Sequence, residues 1–140
     1  MGNIDGGNGN ETDPDEAADF VKKTGVDALA VAIGTAHGFY KDTPKINIPR
    51  LQEIAELVEI PLVLHGGSGT PQDKVAESLK HGIAKVNICT EFIAAFGQGY
   101  AKAQDVPGFS YNVFSLFKAG KESARELVEE KMRLFLSQKI

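Results

Sequence analysis

Three short apolar runs, each giving way to a loop and then to a helical pattern, constrain this sequence more than any other feature. They occupy residues 28–33, 61–64 and 83–88. Each is too short for a buried helix and nearly continuous in apolar character, which predicts strands covered on both faces. Between and after them the spacing turns helical. Residues 49–58 place Leu51, Ile54, Ala55 and Val58 on one face. Thr70-Pro71 reads as cap plus first helical residue, with Asp73 where a capping-box acid sits, and that helix stops at Gly82. Thr90 is expected to cap a further helix running to about Ala103.

The ends of the chain extend this order. Thr12-Asp13-Pro14 opens a helix whose apolar positions are Ala17, Ala18, Phe20 and Val21 and whose stop is Gly25. After the break at Pro107-Gly108, a last amphipathic helix is predicted over 115–137, with Ala124, Leu127, Val128, Leu134 and Phe135 as its stripe. Residues 1–12 are polar and rich in glycine and asparagine, and read as a flexible leader ahead of 13–140. Apolar strands alternating with helices pair in parallel through right-handed crossovers. Three such units fit a small doubly wound sheet or part of a (β/α)8 barrel. A whole barrel takes about 250 residues, and this chain has 140.

Composition removes several classes of function. A formal charge of −4 gives no electrostatic case for binding nucleic acid or an anionic membrane. No apolar run approaches the roughly 20 residues of a spanning helix, and the N-terminus has neither the basic nor the apolar region of a signal peptide. The single cysteine, Cys89, excludes an internal disulfide. It fits a reducing cytoplasm, which is the expected location.

In both parallel architectures ligands meet the loops at the C-terminal ends of the strands. Those loops carry Gly34-Thr35-Ala36-His37-Gly38, then His65-Gly66-Gly67-Ser68-Gly69, then Asn87-Ile88-Cys89-Thr90. Two of the chain's three histidines thus fall on the functional rim, each followed by glycine. His37 and His65 are the metal candidates, since imidazole suits zinc. One loop histidine is more often simply solvated; two at equivalent strand ends argue against that. The third, His81, precedes Gly82 at a helix end and reads as structural. The glycine loop at 66–69 runs into a helix start, where free N–H groups and the helix dipole would hold a phosphate dianion. The segment 87–90 repeats that arrangement. Cys89 has no neighbouring base in sequence and is not read as a nucleophile. Tyr40, Lys41 and Lys45 read as solvated residues of the long loop 34–47.

Together these segments resemble one family. Asp27-Ala28-Leu29-Ala30-Val31-Ala32-Ile33-Gly34-Thr35-Ala36-His37-Gly38 and Pro61-Leu62-Val63-Leu64-His65-Gly66-Gly67-Ser68-Gly69 are similar to the two zinc-histidine segments of class II fructose- and tagatose-bisphosphate aldolases. Lys85-Val86-Asn87-Ile88-Cys89-Thr90 is similar to that family's last-strand motif. The likeness runs from Thr12 onward. It implies that the chain is the C-terminal part of a (β/α)8 TIM barrel, about three βα units plus C-terminal helices. It further implies that His37 and His65 are ligands of Zn2+, that Gly38, Gly66, Gly67 and Ser68 line the phosphate, and that Asn87 and Thr90 bind the ketone–phosphate end of the substrate.

The reaction so implied is reversible aldol cleavage of fructose- or tagatose-1,6-bisphosphate to dihydroxyacetone phosphate and glyceraldehyde 3-phosphate, with zinc as Lewis acid. The family's acid/base aspartate and remaining zinc histidine belong to an Asp-His motif, and no Asp-His dipeptide occurs here. No catalytic residue is therefore assigned, and the chain is expected to be an inactive fragment alone. Its expected partners are a phosphorylated ketose and either further copies of itself or a complementing N-terminal half. The alternatives are a non-catalytic phosphosugar-binding α/β remnant and an unrelated small phosphate-binding domain.

Overall fold

The computed structural model describes residues 11–38, 40, 42–106 and 112–137; most of the expected leader, Lys41 and the Pro107-Gly108 break lie outside them. The element order is α1 (Pro14–Thr24), β1 (Leu29–Val31), α2 (Ile48–Leu57), β2 (Leu62–Leu64), α3 (Gln72–Leu79), β3 (Ile83–Val86), α4 (Thr90–Gln104) and α5 (Val113–Leu136). The chain divides into two compact units, one reaching to Ile88 and the other Cys89–Ser137.

The first unit is built on a three-stranded parallel sheet in the order β1-β2-β3. Paired residues of parallel strands share a face, so the register defines three rows. Leu29, Leu62 and Ile83 form one, and Val31, Leu64 and Val86 another; Ala30, Val63 and Lys85 form the row that points the other way. Ala84 has no partner, because the register slips between Leu62 and Val63. Only the central strand is buried throughout. The outer strands correct the expectation of double-sided burial: Ala30, Ala84 and Lys85 are exposed. An outer strand has a neighbour on one edge only, and in the row Ala30, Val63 and Lys85 only Val63, on the central strand, is buried.

Helix starts and stops follow local chemistry. Asp13 caps α1 by accepting from the N–H groups of Asp15 and Glu16, and Gly25 closes it in the left-handed region at φ 65°. Asn47 caps α2 through the Arg50 N–H at 3.1 Å. Helix α1 packs on α2, and α2 on α3. Leu51, Ile54 and Val58 of the α2 segment are buried together with Ala17, Ile33, Ile46 and Val75. Phe20, expected on the apolar face of α1, is about half exposed. Thr70 is not the cap of α3. Pro71 occupies that position, and the Thr70 hydroxyl donates instead to the Gly66 carbonyl at 3.0 Å. Thr90 is likewise the first residue of α4 rather than its cap; Cys89 precedes it and makes no side-chain capping bond.

The second unit is a helical hairpin. Asn112 caps α5 through the Phe114 N–H at 3.0 Å. The helices approach closely at Gly99, where a Cβ would lie 2.6 Å from the Ala119 carbonyl oxygen. Lys131 and Glu91 join the helices by an ion pair at 2.9 Å. Leu116, Gly120 and Ala124 are the buried residues of α5. Val128, predicted on the stripe, is exposed.

Candidate metal and substrate site

His37 and His65 follow β1 and β2, which are adjacent, and the fold brings their rings together. The centroids lie 5.1 Å apart with an interplanar angle of 26°. With a zinc–nitrogen distance of about 2 Å and a tetrahedral angle, two imidazole centroids sharing one ion fall roughly 5 Å apart. The spacing therefore fits two ligands of a single metal. A catalytic zinc normally has three protein ligands, and among the described residues no group of three or more His, Cys, Asp or Glu is placed to hold an ion. His37 is exposed and His65 half-buried.

Backbone and side-chain bonds tie the two histidine loops to each other and to the third. Thr35 donates its hydroxyl proton to the His65 carbonyl at 2.7 Å. The ladder continues past β2 and β3: the Asn87 N–H donates to the Leu64 carbonyl at 2.9 Å, and the Gly67 N–H to the Asn87 carbonyl at 3.2 Å. Gly67 thus differs from the expectation of a free N–H in the glycine loop, because its donor is committed to the sheet. Asn87 Nδ2 lies 3.2 Å from His65 Nδ1, and Lys85 Nζ hydrogen-bonds Asn87 Oδ1. Lys85, Asn87 and His65 make a polar relay at the ends of β2 and β3.

Gly66 is a position where only glycine fits. Its φ is 69°, and a Cβ would meet the Ala36 carbonyl oxygen at 2.2 Å. Gly66 and Gly67 are buried, as is Ser68. Gly38 also has a positive φ, 103°. His81 lies apart from this site, with Nδ1 at 3.1 Å from Gln52 Nε2, in keeping with a structural role. Cys89 is exposed.

One residue of this cluster has no signal in the sequence. Tyr40, expected to be solvated, is half-buried. Its hydroxyl accepts from the Ala36 N–H at 2.7 Å and faces the carbonyls of Ala36 at 2.6 Å and Gly66 at 2.9 Å.

The motif order and this geometry agree with the match to a family model, Fructose-bisphosphate aldolase class-II, over residues 1–139. The chain belongs to the class-II fructose-bisphosphate aldolase family. Among solved structures it is similar to the YdjI aldolase of Escherichia coli K12, with 37% identity and a TM-score of 0.76 over 91% of this chain. It also shares the fold of a fructose-bisphosphate aldolase of Campylobacter jejuni, at 22% identity and a TM-score of 0.74 over 89% of this chain. In each comparison the chain covers 45% of the other protein. Its three βα units are thus the C-terminal part of an aldolase TIM barrel, a family of lyases acting in carbohydrate metabolism. No helix among the described residues is long and apolar enough to cross a membrane.

Proposed function

We propose that this chain contributes the metal-ligand and phosphate-binding side of a zinc-dependent class II ketose-bisphosphate aldolase. The reaction is the reversible cleavage of fructose- or tagatose-1,6-bisphosphate into dihydroxyacetone phosphate and glyceraldehyde 3-phosphate. The observation that carries this reading is the approach of His37 and His65 to 5.1 Å at the ends of adjacent parallel strands. In this reading residues 13–140 act as one part of a cytoplasmic barrel enzyme, completed by an N-terminal half or by further copies.

His37 and His65 would supply two zinc ligands. Bound zinc supplies Lewis-acid polarisation of the substrate ketone. Gly38, Gly66, Gly67 and Ser68 would line the phosphate, as their motif implies, on a glycine loop that Gly66 lets pack against the Ala36 carbonyl. Asn87, whose amide lies against His65, is assigned to the ketone end of the substrate by its motif. Thr90 is assigned to that same end by its motif alone. Holding phosphate away from the reacting bond orients the substrate and confines its motion. The acid/base step needs a proton carrier from an Asp-His motif, which this sequence lacks.

The test is a coupled assay for triose phosphate release, run with zinc. The chain alone is expected to be silent, and mixing it with a separately expressed barrel half bearing an Asp-His motif is expected to restore turnover. Zinc-independent binding of ketose phosphate, with no turnover in any mixture, would instead favour a non-catalytic sugar-phosphate binder.

A further inference from the structure

We infer that Tyr40 is a positioning residue that holds the His37 loop at a fixed distance from the His65 loop; its importance for metal rests on the zinc reading above. The carbonyl oxygens of Ala36 and Gly66 both converge on the Tyr40 hydroxyl, at 2.6 and 2.9 Å. Two carbonyl oxygens aimed at one point repel unless a proton lies between them, and the phenol provides it. The same oxygen accepts the Ala36 N–H at 2.7 Å, so the hydroxyl is satisfied as donor and acceptor at once. Ala36 immediately precedes His37, and Gly66 immediately follows His65. One side chain therefore ties the residues flanking both histidines.

The packing crowds the two loops against this tie. The Gly66 backbone is close enough to Ala36 that a Cβ would meet the Ala36 carbonyl oxygen at 2.2 Å and Tyr40 Oη at 2.9 Å. A Cβ on Gly69 would lie 3.3 Å from the Tyr40 ring, so the ring covers the glycine loop as the hydroxyl bridges it. The Thr35–His65 bond spans the same two loops at 2.7 Å, but from the other side of Ala36 in sequence. Phenylalanine would keep the ring contact and remove the proton, leaving two carbonyls and one N–H of a partly buried contact without their partner. Groups that orient metal ligands without touching the metal typically change affinity about 10–100-fold when lost.

The experiment compares the full chain with Tyr40→Phe and with Ser78→Ala. Ser78 is buried, donates only to its own helix at Val75, and serves as a control for general loss of stability. Three quantities are read: Zn2+ affinity by competition with a chromophoric chelator, the thermal midpoint, and hydrogen exchange of the Ala36 amide in metal-free protein. Tyr40→Phe is expected to weaken zinc about tenfold or more and to accelerate Ala36 exchange, whereas Ser78→Ala lowers the midpoint with neither effect. If wild-type zinc binding proves independent of His37 and His65, the metal reading fails on its own, and faster Ala36 exchange in Tyr40→Phe would still support the brace. Unchanged Ala36 exchange in Tyr40→Phe overturns the inference. Where wild-type zinc binding depends on His37 and His65, a zinc loss no greater than that of Ser78→Ala overturns it too.

Discussion

Asn87 and His65 meet side chain to side chain, amide Nδ2 to ring Nδ1 at 3.2 Å, and Lys85 decides which way round the amide sits. An ammonium only donates, so the Asn87 oxygen faces Lys85 and its NH2 faces the imidazole. Nδ1 of His65 is then an acceptor, and in the neutral ring the proton belongs on Nε2. Nitrogen-15 NMR of metal-free protein should find His65 in that tautomer. Lys85→Met should release the amide to rotate and give a mixture. A dominant Nδ1–H form in the wild type would contradict the relay.

Metal affinity should be weak and should depend on both histidines. Two imidazoles leave a zinc site one protein ligand short. Either His37→Ala or His65→Ala should reduce titratable zinc binding to background, whereas His81→Ala, with its ring against Gln52, should leave it unchanged. Submicromolar one-to-one binding in the His37→Ala/His65→Ala double variant would show that the ion sits elsewhere.

Gly66→Ala should damage the site through the backbone. The residue has φ 69° and its Cβ would collide with a carbonyl, not with a side chain that can move aside. Strain at such a position costs on the order of 1–3 kcal/mol. Urea unfolding should show at least that loss. Gly25→Ala isolates the conformational part, because a Cβ at Gly25 meets nothing within 4 Å despite its φ of 65°. It should therefore cost less.

The exposed acidic residues of α5 set a modest pH dependence. The hydrogen bond from Arg125 holds the Glu122 carboxyl below its ordinary range. A carboxyl depressed in the folded state stabilises above its unfolded pKa, and that contribution is lost as pH falls through the folded value. Arg125→Gln should flatten the acid limb of the stability curve, and added salt should do the same because the pair is open to solvent. Identical acid limbs for wild type and variant would show that the pair does not form in solution.

The βα order was legible because apolar runs and glycine stops report the chain's own periodicity, and the histidine pair was legible because both residues trail such runs. Burial of the outer strands was not. An apolar run states what a strand can bury, whereas the neighbour that covers it lies elsewhere in sequence, so Ala30 and Lys85 looked internal and are exposed. Thr70 and Thr90 carry the local signature of caps. The competing acceptor for Thr70 is the Gly66 carbonyl, made available only by the turn of the glycine loop. Tyr40 gave no signal because its partners are main-chain groups, one of them 26 residues away. No spacing rule reports a side chain bonding to a distant carbonyl.

The exposed residues of the outer strands make the last prediction. Ala30, Val63 and Lys85 line up across the three strands, Val63 buried and Ala30 and Lys85 exposed, with β1 and β3 as outer strands. Apolar surface left in water forfeits about 25 cal/mol for each Å² not covered, and an outer strand offers unpaired backbone groups to any similar edge. Lys85 partly guards its own edge, since a charge on an outer strand disfavours pairing with another copy. The 140-residue chain should therefore self-associate with rising concentration, and Lys85→Val should strengthen that association. Hydrogen exchange should be slowest in β2, which is buried along its length, and faster in β1 and β3. Size-exclusion chromatography across a hundredfold range of concentration, with exchange read on the same samples, tests both points. A monomer throughout, protected equally in all three strands, would mean that the outer strands are covered from within the chain, and the partial-barrel account of its stability would fail even with the histidine pair intact.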